Sequence, residues 1–156
     1  MRILVTNDDG IYAGGLIRLA EAALKFGEVW VVAPDSERSA ASHSVTLRHP
    51  LDVYPITDFP VKGVKAFSCS GMPVDCVRVG GLNVMPERPE LVLSGINRGY
   101  NLAADIQYSA TAGAAFEGTF QGYHSIAVSE GFDGSYEVTD RYLLEILEKL
   151  INTPLP

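Results

Sequence analysis

Short apolar runs rich in Val and Ile alternate along this chain with segments in which apolar residues recur at helical spacing. Residues 2–6 (RILVT) and 28–33 (EVWVVA) predict two buried strands. Between them, the residues at helical spacing are Leu16, Leu19, Ala20, Ala23 and Leu24. Gly27 then stands where a glycine commonly ends a helix. A strand, a helix and a second strand in close succession predict a parallel sheet with a right-handed crossover.

The same alternation continues along the rest of the chain, with a less regular middle. Short strands are predicted at 45–47, 52–55 and 65–68, which we interpret as an antiparallel excursion. Pro73 suits the first position of a helix over 74–79, and Gly80-Gly81 would close that helix. The remaining predicted elements are a strand at 90–94, a helix at 111–121, a strand at 125–129 and a helix at 140–151.

This succession predicts an α/β fold, specifically a Rossmann-like three-layer α/β/α arrangement with a mostly parallel sheet. The 156 residues fit a single domain, 1–156. The last predicted helix ends near Asn152, and no strand follows it. We therefore expect the C-terminal part of the fold to be missing from this chain.

Composition and charge narrow the class of function. The formal net charge is −7, which makes a basic surface for duplex DNA or RNA hard to assemble. No apolar run approaches the roughly 20 residues of a membrane span, and residues 1–10 lack a signal-peptide core. Cys69 and Cys76 lack the second half of a zinc motif, and we expect both to be reduced. These observations predict a cytoplasmic protein that binds neither a membrane nor a nucleic acid duplex.

Polar residues cluster in the loops that follow the predicted core strands. Three loops supply short oxygen-bearing side chains, one imidazole, and glycines whose amides can approach a phosphate closely: Asp8, Asp9, Ser39, His43, Gly95, Asn97 and Gly99. Ligands of open α/β sheets bind beyond the carboxyl ends of the strands, so we expect these loops to share one edge. Hard oxygen ligands of this kind suit Mg²⁺, Mn²⁺ or Ca²⁺ rather than Zn²⁺.

Each feature also has a structural alternative. Asp8 and Asp9 suit a tight turn and a helix N-cap, and Asn97 suits an Asx-turn. His49 and His124 are interpreted as structural or exposed, and three histidines are too few for a classical zinc hydrolase site. The sequence contains no P-loop, no G-x-G-x-x-G after the first strand and no G-x-S-x-G elbow. The joint occurrence of three polar loops on one predicted edge favours a cation site.

The motifs in these loops resemble those of the SurE family, the survival protein E or stationary-phase survival nucleotidases. Six stretches carry the resemblance, in order: I-L-V-T-N-D-D-G-I (3–11), A-P-D-S-E-R-S-A (33–40), H-S-V-T (43–46), G-M-P-V-D-C-V (71–77), S-G-I-N-R-G-Y-N (94–101) and Y-S-A-T-A-G-A-A-F-E-G (108–118). The correspondence extends from residue 1 to about residue 130.

The resemblance implies hydrolysis of nucleoside 5′- and 3′-monophosphates to nucleoside and phosphate by a metal-activated water. It implies one divalent cation per subunit, Mg²⁺ or Mn²⁺, bound by Asp8, Asp9, Ser39 and Asn97. Asp8 or Asp9 would accept the proton of the water, and Asn101 and Ser109 would contact phosphate with His43 close to them. The family also assembles into dimers or tetramers, so a homo-oligomer is expected.

Three alanines depart from the family pattern. Ala103 and Ala110 stand where the family has glycine, and Ala112 stands where it has valine. A methyl group at a glycine position with positive φ or close backbone approach would perturb phosphate binding. Together with the short C-terminus, these alanines make a catalytically impaired module that binds nucleotide or metal the alternative function. A covalent aspartyl-phosphate is the rival mechanism, and a sugar-nucleotide transferase is a weaker alternative because Asp8 and Asp9 are adjacent rather than D-x-D.

Overall fold

The computed structural model describes residues 1–132 and 134–153, which build a six-stranded sheet with helices on both faces. The strands are β1 (Arg2–Thr6), β2 (Glu28–Pro34), β3 (Val53–Ile56), β4 (Lys65–Cys69), β5 (Leu91–Arg98) and β6 (His124–Glu130). The helices are α1 (Gly14–Ala23), α2 (Pro73–Val79), α3 (Ala110–Phe120) and α4 (Glu137–Ile151). A π-helical turn (Gly80–Val84) extends α2, and a 3-10 turn (Ala103–Gln107) precedes α3.

The sheet has the order β3-β4-β2-β1-β5-β6, with only β3 antiparallel to its neighbour among the described strands. β1 lies in the middle: Ile3 pairs with Val29 of β2 on one side and with Leu91 of β5 on the other. Thr6 at the end of β1 is level with Ser94 of β5. Because these strands are parallel, their carboxyl ends open at the same edge of the sheet.

Two apolar layers form because successive strand residues point to opposite faces. Ile3 and Val5 of β1 pack in one cluster with Leu16 of α1 and Leu147 of α4. Leu4 packs in the other cluster, which contains residues of α2 and α3. All three β1 residues are fully buried. This confirms the three-layer α/β/α prediction, while the predicted antiparallel excursion is limited to β3, since β4 is parallel to β2.

Two local predictions were wrong. Residues 45–47 form no strand. Gly27 does not cap α1, which ends at Ala23; a Cβ on Gly27 would lie 2.0 Å from the carbonyl oxygen of Met1. Gly80 is the C-cap of α2, as predicted, but it does not reverse the chain, which continues into the π-helical turn; a Cβ on Gly80 would lie 2.9 Å from Leu4. Both glycines allow close packing rather than a reversal of the chain.

Two further observations concern the exclusions made from composition. Cys69 and Cys76 are buried free thiols, as predicted. Across residues 1–132 and 134–153, every helix is too short or too polar to span a lipid bilayer.

Candidate functional site

A cavity of about 540 Å³ opens at the carboxyl edge of the sheet, beyond β1 and β5. Six of the side chains singled out from the sequence line it: Asp8, Asp9, Ser39, Asn97, Asn101 and Ser109. They come from four separate segments of the chain, and the parallel register of β1 and β5 brings the segments that follow these two strands to the same edge. All four predicted cation ligands and both predicted phosphate contacts therefore share one cavity.

The turn after β1 frees both aspartates for this cavity. Asn7 makes the turn itself: its Nδ2 donates to the carbonyl oxygen of Gly10 over 3.0 Å, and its Oδ1 accepts from the Gly10 amide over 3.3 Å. Gly10 has a φ of 105°, which glycine adopts without strain. The N-cap of α1 is Ala13, so the N-cap alternative for Asp8 and Asp9 is wrong.

Asp8 is the more buried carboxylate of the pair, with 6% of its surface exposed. The hydroxyl of Thr111 on α3 donates to Asp8 Oδ1 over 2.6 Å. Burial raises the pKa of Asp8 from an ordinary 3.8 to about 6, opposed by the Thr111 hydrogen bond and reinforced by the charge of Asp9. A cation beside Asp8 would offset this cost by stabilising the ionised form.

Asp9 is half-buried beside the positive charge of Arg98. Burial raises its pKa, while the backbone amide and the charge of Arg98 act in the opposite direction and the charge of Glu37 adds to the increase. The Arg98 guanidinium stacks on the ring of Phe132, 4.6 Å from its centroid. Both residues line the cavity, in which Arg98 is the only basic side chain among the described residues.

The two neutral ligand candidates have local hydrogen bonds that leave an oxygen available. Asn97 Nδ2 donates to the carbonyl oxygen of Gly99 over 2.9 Å, whereas in an Asx-turn Oδ1 would accept a backbone amide, so Oδ1 is left for a cation. Ser39 Oγ donates its proton to Glu37 Oε1, and the oxygen keeps lone pairs for coordination. Two carboxylates, a hydroxyl and an amide oxygen form a set suited to a hard divalent cation.

This set differs from a zinc-type centre. Within residues 1–132 and 134–153, no group of three or more His, Cys, Asp or Glu side chains is arranged to hold a metal ion. The candidate set contains two such residues and two neutral ones, so it falls outside that pattern. The chemistry of the donors therefore points to an oxygen-only site with few charges.

Residues 36–46 reach the cavity through contacts with α3 and with the segment before it. Arg38 donates its amide to the carbonyl oxygen of Asp8 over 2.7 Å. Ser42 donates its amide to Tyr108 O and its hydroxyl to Gln107 O, over 3.0 and 2.6 Å. Gly113 on α3 has to be a glycine, because a Cβ there would lie 2.4 Å from the carbonyl oxygen of Ser42.

His43 lies outside the cavity wall. Its Nε2 is 3.0 Å from Glu117 Oε2, and its ring packs against Phe120 at 5.5 Å between centroids. Glu117 also accepts hydrogen bonds from Arg78, over 2.9 Å, and Gln121, over 2.8 Å. Burial would raise the pKa of Glu117, but the hydrogen bonds from Gln121, His43 and Arg78 lower it overall. The structure thus supplies a supporting contact for His43, and its contact with substrate stays a prediction.

Gly95 and Gly99 also lie outside the cavity wall, and their conformations have other causes. Both have positive φ, 133° and 126°. A Cβ on Gly95 would lie 2.2 Å from the carbonyl oxygen of Val128 in β6. The Gly99 amide donates to the carbonyl oxygen of Glu130 over 2.9 Å, so it is already engaged. Their approach to phosphate stays a prediction.

Sequence reasoning missed several residues of the site. Glu37, Arg98, Asp105, Tyr108 and Phe132 line the cavity, and Thr111 supports it from behind. Glu37 and Arg98 stand inside the quoted motifs, two residues before Ser39 and one after Asn97, so their position was a usable signal. Tyr108 and Thr111 also stand inside a quoted motif, 108–118, but the contact of Thr111 with Asp8 depends on how α3 packs.

Comparisons with known proteins identify relatives of this chain. A family model described as "Survival protein SurE" matches residues 3–156. The protein named 5'-nucleotidase SurE from Geobacter sulfurreducens is 44% identical over 159 residues, covering 100% of this chain and 58% of that protein. Its namesake from Mesorhizobium japonicum is 42% identical over 164 residues, covering 100% and 63%.

A solved structure gives the same result for the fold. The crystal structure of the SurE protein from Aquifex aeolicus matches with a TM-score of 0.86 at 37% identity. The match covers 100% of this chain and 62% of that chain. This chain spans about three fifths of the length of these relatives.

Proposed function

Because this chain belongs to the SurE family, we propose that it forms the cation- and phosphate-binding part of a nucleotidase. The proposed reaction is hydrolysis of nucleoside 5′- and 3′-monophosphates to nucleoside and phosphate. The convergence of Asp8, Asp9, Ser39 and Asn97 on one cavity supports this proposal most directly. The names of the relatives, 5'-nucleotidase SurE, supply the substrate class.

We assign one divalent cation, Mg²⁺ or Mn²⁺, to the four oxygen donors. Asp8 and Asp9 supply the negative charge, while Ser39 and Asn97 are neutral ligands and leave coordination positions open. When bound, the cation supplies Lewis-acid polarisation of a phosphate oxygen and a template for the attacking water. The chain has a net charge of −7, which repels an anionic substrate, and the positive charge of the cation would offset this repulsion.

Asp8 and Asp9 have different roles in the proposed reaction. Asp8 holds one oxygen against Thr111 and is nearly enclosed, so its part is to hold the cation. Asp9 is more exposed and is the better placed of the two to accept a proton from the attacking water. The water oxygen forms the new bond to phosphorus, the phosphorus–oxygen ester bond breaks, and the nucleoside oxygen takes up a proton from solvent.

Asn101 and Ser109 hold the phosphate in this proposal. Ser109 is the N-cap of α3, where its Oγ accepts the Ala112 amide over 3.1 Å and keeps its own proton to donate. Asn101 Nδ2 donates one hydrogen to Ser129 Oγ over 2.8 Å and has a second hydrogen available. The N-terminus of an eleven-residue helix adds a favourable dipole for an anion. Donors that are already in place stabilise charge in a phosphoryl-transfer transition state.

The test is phosphate release from a panel of nucleoside monophosphates with Mn²⁺, Mg²⁺ or EDTA. We expect release that depends on the cation and is lost on Asp8→Asn, with the far-UV circular dichroism spectrum unchanged. Near-normal turnover of Asp8→Asn at a saturating concentration of metal would refute the assignment. Nucleotide binding without release would instead support the impaired binding module, and trapping of a phosphoenzyme by a metallofluoride would support the covalent route.

Two wider predictions belong to the whole protein. A homodimer or homotetramer and a cytoplasmic location both follow from the resemblance and composition. Sedimentation velocity and cell fractionation test them directly.

A further inference from the structure

A buried hydroxyl contacts the candidate metal site from behind the cavity wall. Thr111 has no exposed surface, and its Oγ1 donates to Asp8 Oδ1 over 2.6 Å. The two residues are 103 positions apart, so the contact exists only in the folded chain. Within residues 1–132 and 134–153, the structure gives no second side-chain hydrogen bond to this carboxylate.

The position of this hydroxyl is fixed by its own surroundings. Thr111 lies in the first turn of α3, and Ser109 sets the start of this helix. The Oγ of Ser109 accepts the Ala112 amide, and the carbonyl oxygen of Ser109 accepts the Gly113 amide over 3.0 Å. A β-branched side chain in a helix has few allowed χ1 values. The backbone and the rotamer of Thr111 are therefore both restricted before any ligand arrives.

A carboxylate held in this way has one rotation fewer to lose when a cation binds. Asp8 Oδ1 is committed to Thr111, which fixes the plane of the carboxylate. Oδ2 and the remaining lone pair of Oδ1 are then available to a cation in the cavity that Asp8 lines. Without the hydroxyl, Asp8 can turn about χ2, and binding has to order it.

We propose that Thr111 is a positioning residue of the metal site, acting through Asp8 and touching neither cation nor substrate. The inference rests on the proposed function, because it assumes that Asp8 is a ligand. Residues behind metal ligands typically change metal affinity about 10- to 100-fold when their hydrogen bond is removed. We expect an effect in that range.

The experiment uses two matched pairs in the full chain, each differing only by the hydroxyl. The first pair is wild type and Thr111→Val, and the second is Thr111→Ser and Thr111→Ala. Mn²⁺ is titrated into each protein, and free Mn²⁺ is read from its electron paramagnetic resonance signal. We expect Kd to rise about 10- to 100-fold in Thr111→Val and to differ in the same direction between the second pair. Thermal unfolding with EDTA measures the stability of each metal-free protein in parallel.

The outcomes separate a positioning role from a structural one. Equal Mn²⁺ affinity in both pairs, with lower melting temperatures for the variants that lack the hydroxyl, would overturn the inference and leave the metal site standing. If Thr111→Val does not fold, the comparison of Ser with Ala at this position decides the same question. If wild type itself binds no Mn²⁺, the proposed metal site is refuted and the inference falls with it.

Discussion

Asp8→Asn should make the metal-free protein more stable while removing its proposed activity. The carboxylate of Asp8 is 6% exposed, and its pKa rises from 3.8 to about 6 on folding. Each pH unit between these values corresponds to about 1.4 kcal/mol, so ionised Asp8 costs the folded state about 3 kcal/mol. Asparagine is close in shape, keeps an oxygen that can accept from Thr111, and carries no charge.

The sign of the pH dependence follows from the direction of the pKa change. A carboxyl group whose pKa is raised by folding stabilises the protein below its unfolded pKa, and this contribution disappears as the pH rises through about 6. The free energy of unfolding of Asp8→Asn minus that of wild type should therefore grow between pH 4 and pH 6. It should level off above pH 7 at about 3 kcal/mol, and other carboxyl groups cancel in the difference.

Urea unfolding in EDTA, followed by circular dichroism at several pH values, measures this difference. Glu21→Gln is the matched control, since it removes one exposed carboxylate from α1, outside the cavity. Adding Mn²⁺ should reverse the order of stability, because only wild type keeps the full ligand set. A difference that does not vary with pH, or a wild type more stable than Asp8→Asn at pH 7.5 without metal, would refute the reasoning.

Three further predictions concern residues around the cavity. Ala103 has a φ of 50°, so Ala103→Gly should raise the free energy of unfolding by up to about 1 kcal/mol, and urea titration without any gain would contradict this conformation. Arg98→Met removes the basic side chain next to Asp9 that lines the cavity, so an anionic substrate loses an attractive charge. We expect KM to rise about tenfold, with kcat little changed and Mn²⁺ affinity not weakened. A loss confined to kcat would contradict this prediction. Glu117→Gln should lower the free energy of unfolding by about 1–2 kcal/mol at neutral pH, because it removes the charge that strengthens the hydrogen bonds to Arg78 and His43. That cost should shrink in acid, because the lowered pKa of Glu117 means that its contribution is lost as the pH falls; urea unfolding at pH 7 and pH 4 checks this.

Much of the candidate site was predictable because parallel strands impose a common edge. Once β1 and β5 are recognised as neighbouring core strands, the residues that follow them have to meet, whatever else the chain does. Asp8 and Asp9 follow β1, Asn97 lies near the end of β5 beyond its pairing with β1, and all three line one cavity. The positive φ of Ala103 was predictable on a different ground, because the resemblance places Ala103 at a position where the SurE family has glycine.

The other residues depend on packing that no local pattern encodes. Ala110 also stands at a family glycine position, yet it begins α3 without a positive φ and is fully buried. His43 bonds to Glu117 rather than facing the cavity, because α3 presents a buried carboxylate to it. Gly27 looked like a helix terminator and is instead a point where the backbone of Met1 passes closely. Each outcome was decided by a distant part of the chain.

Helix α3 makes the cavity a cooperative structure. Along this one helix and its cap, Ser109 faces the cavity, Thr111 holds Asp8, Gly113 admits Ser42, and Glu117 holds His43. A fluctuation that unwinds α3 would release all these supports in a single event, so intermediate states with half a site have little to stabilise them. Amide hydrogens of the loop at 36–46 should then exchange with solvent on the same timescale as those of the first turns of α3. Grafting the three segments that carry Asp8, Asp9, Ser39 and Asn97 onto another sheet without this helix would transfer the proposed ligands and leave behind what holds them in place.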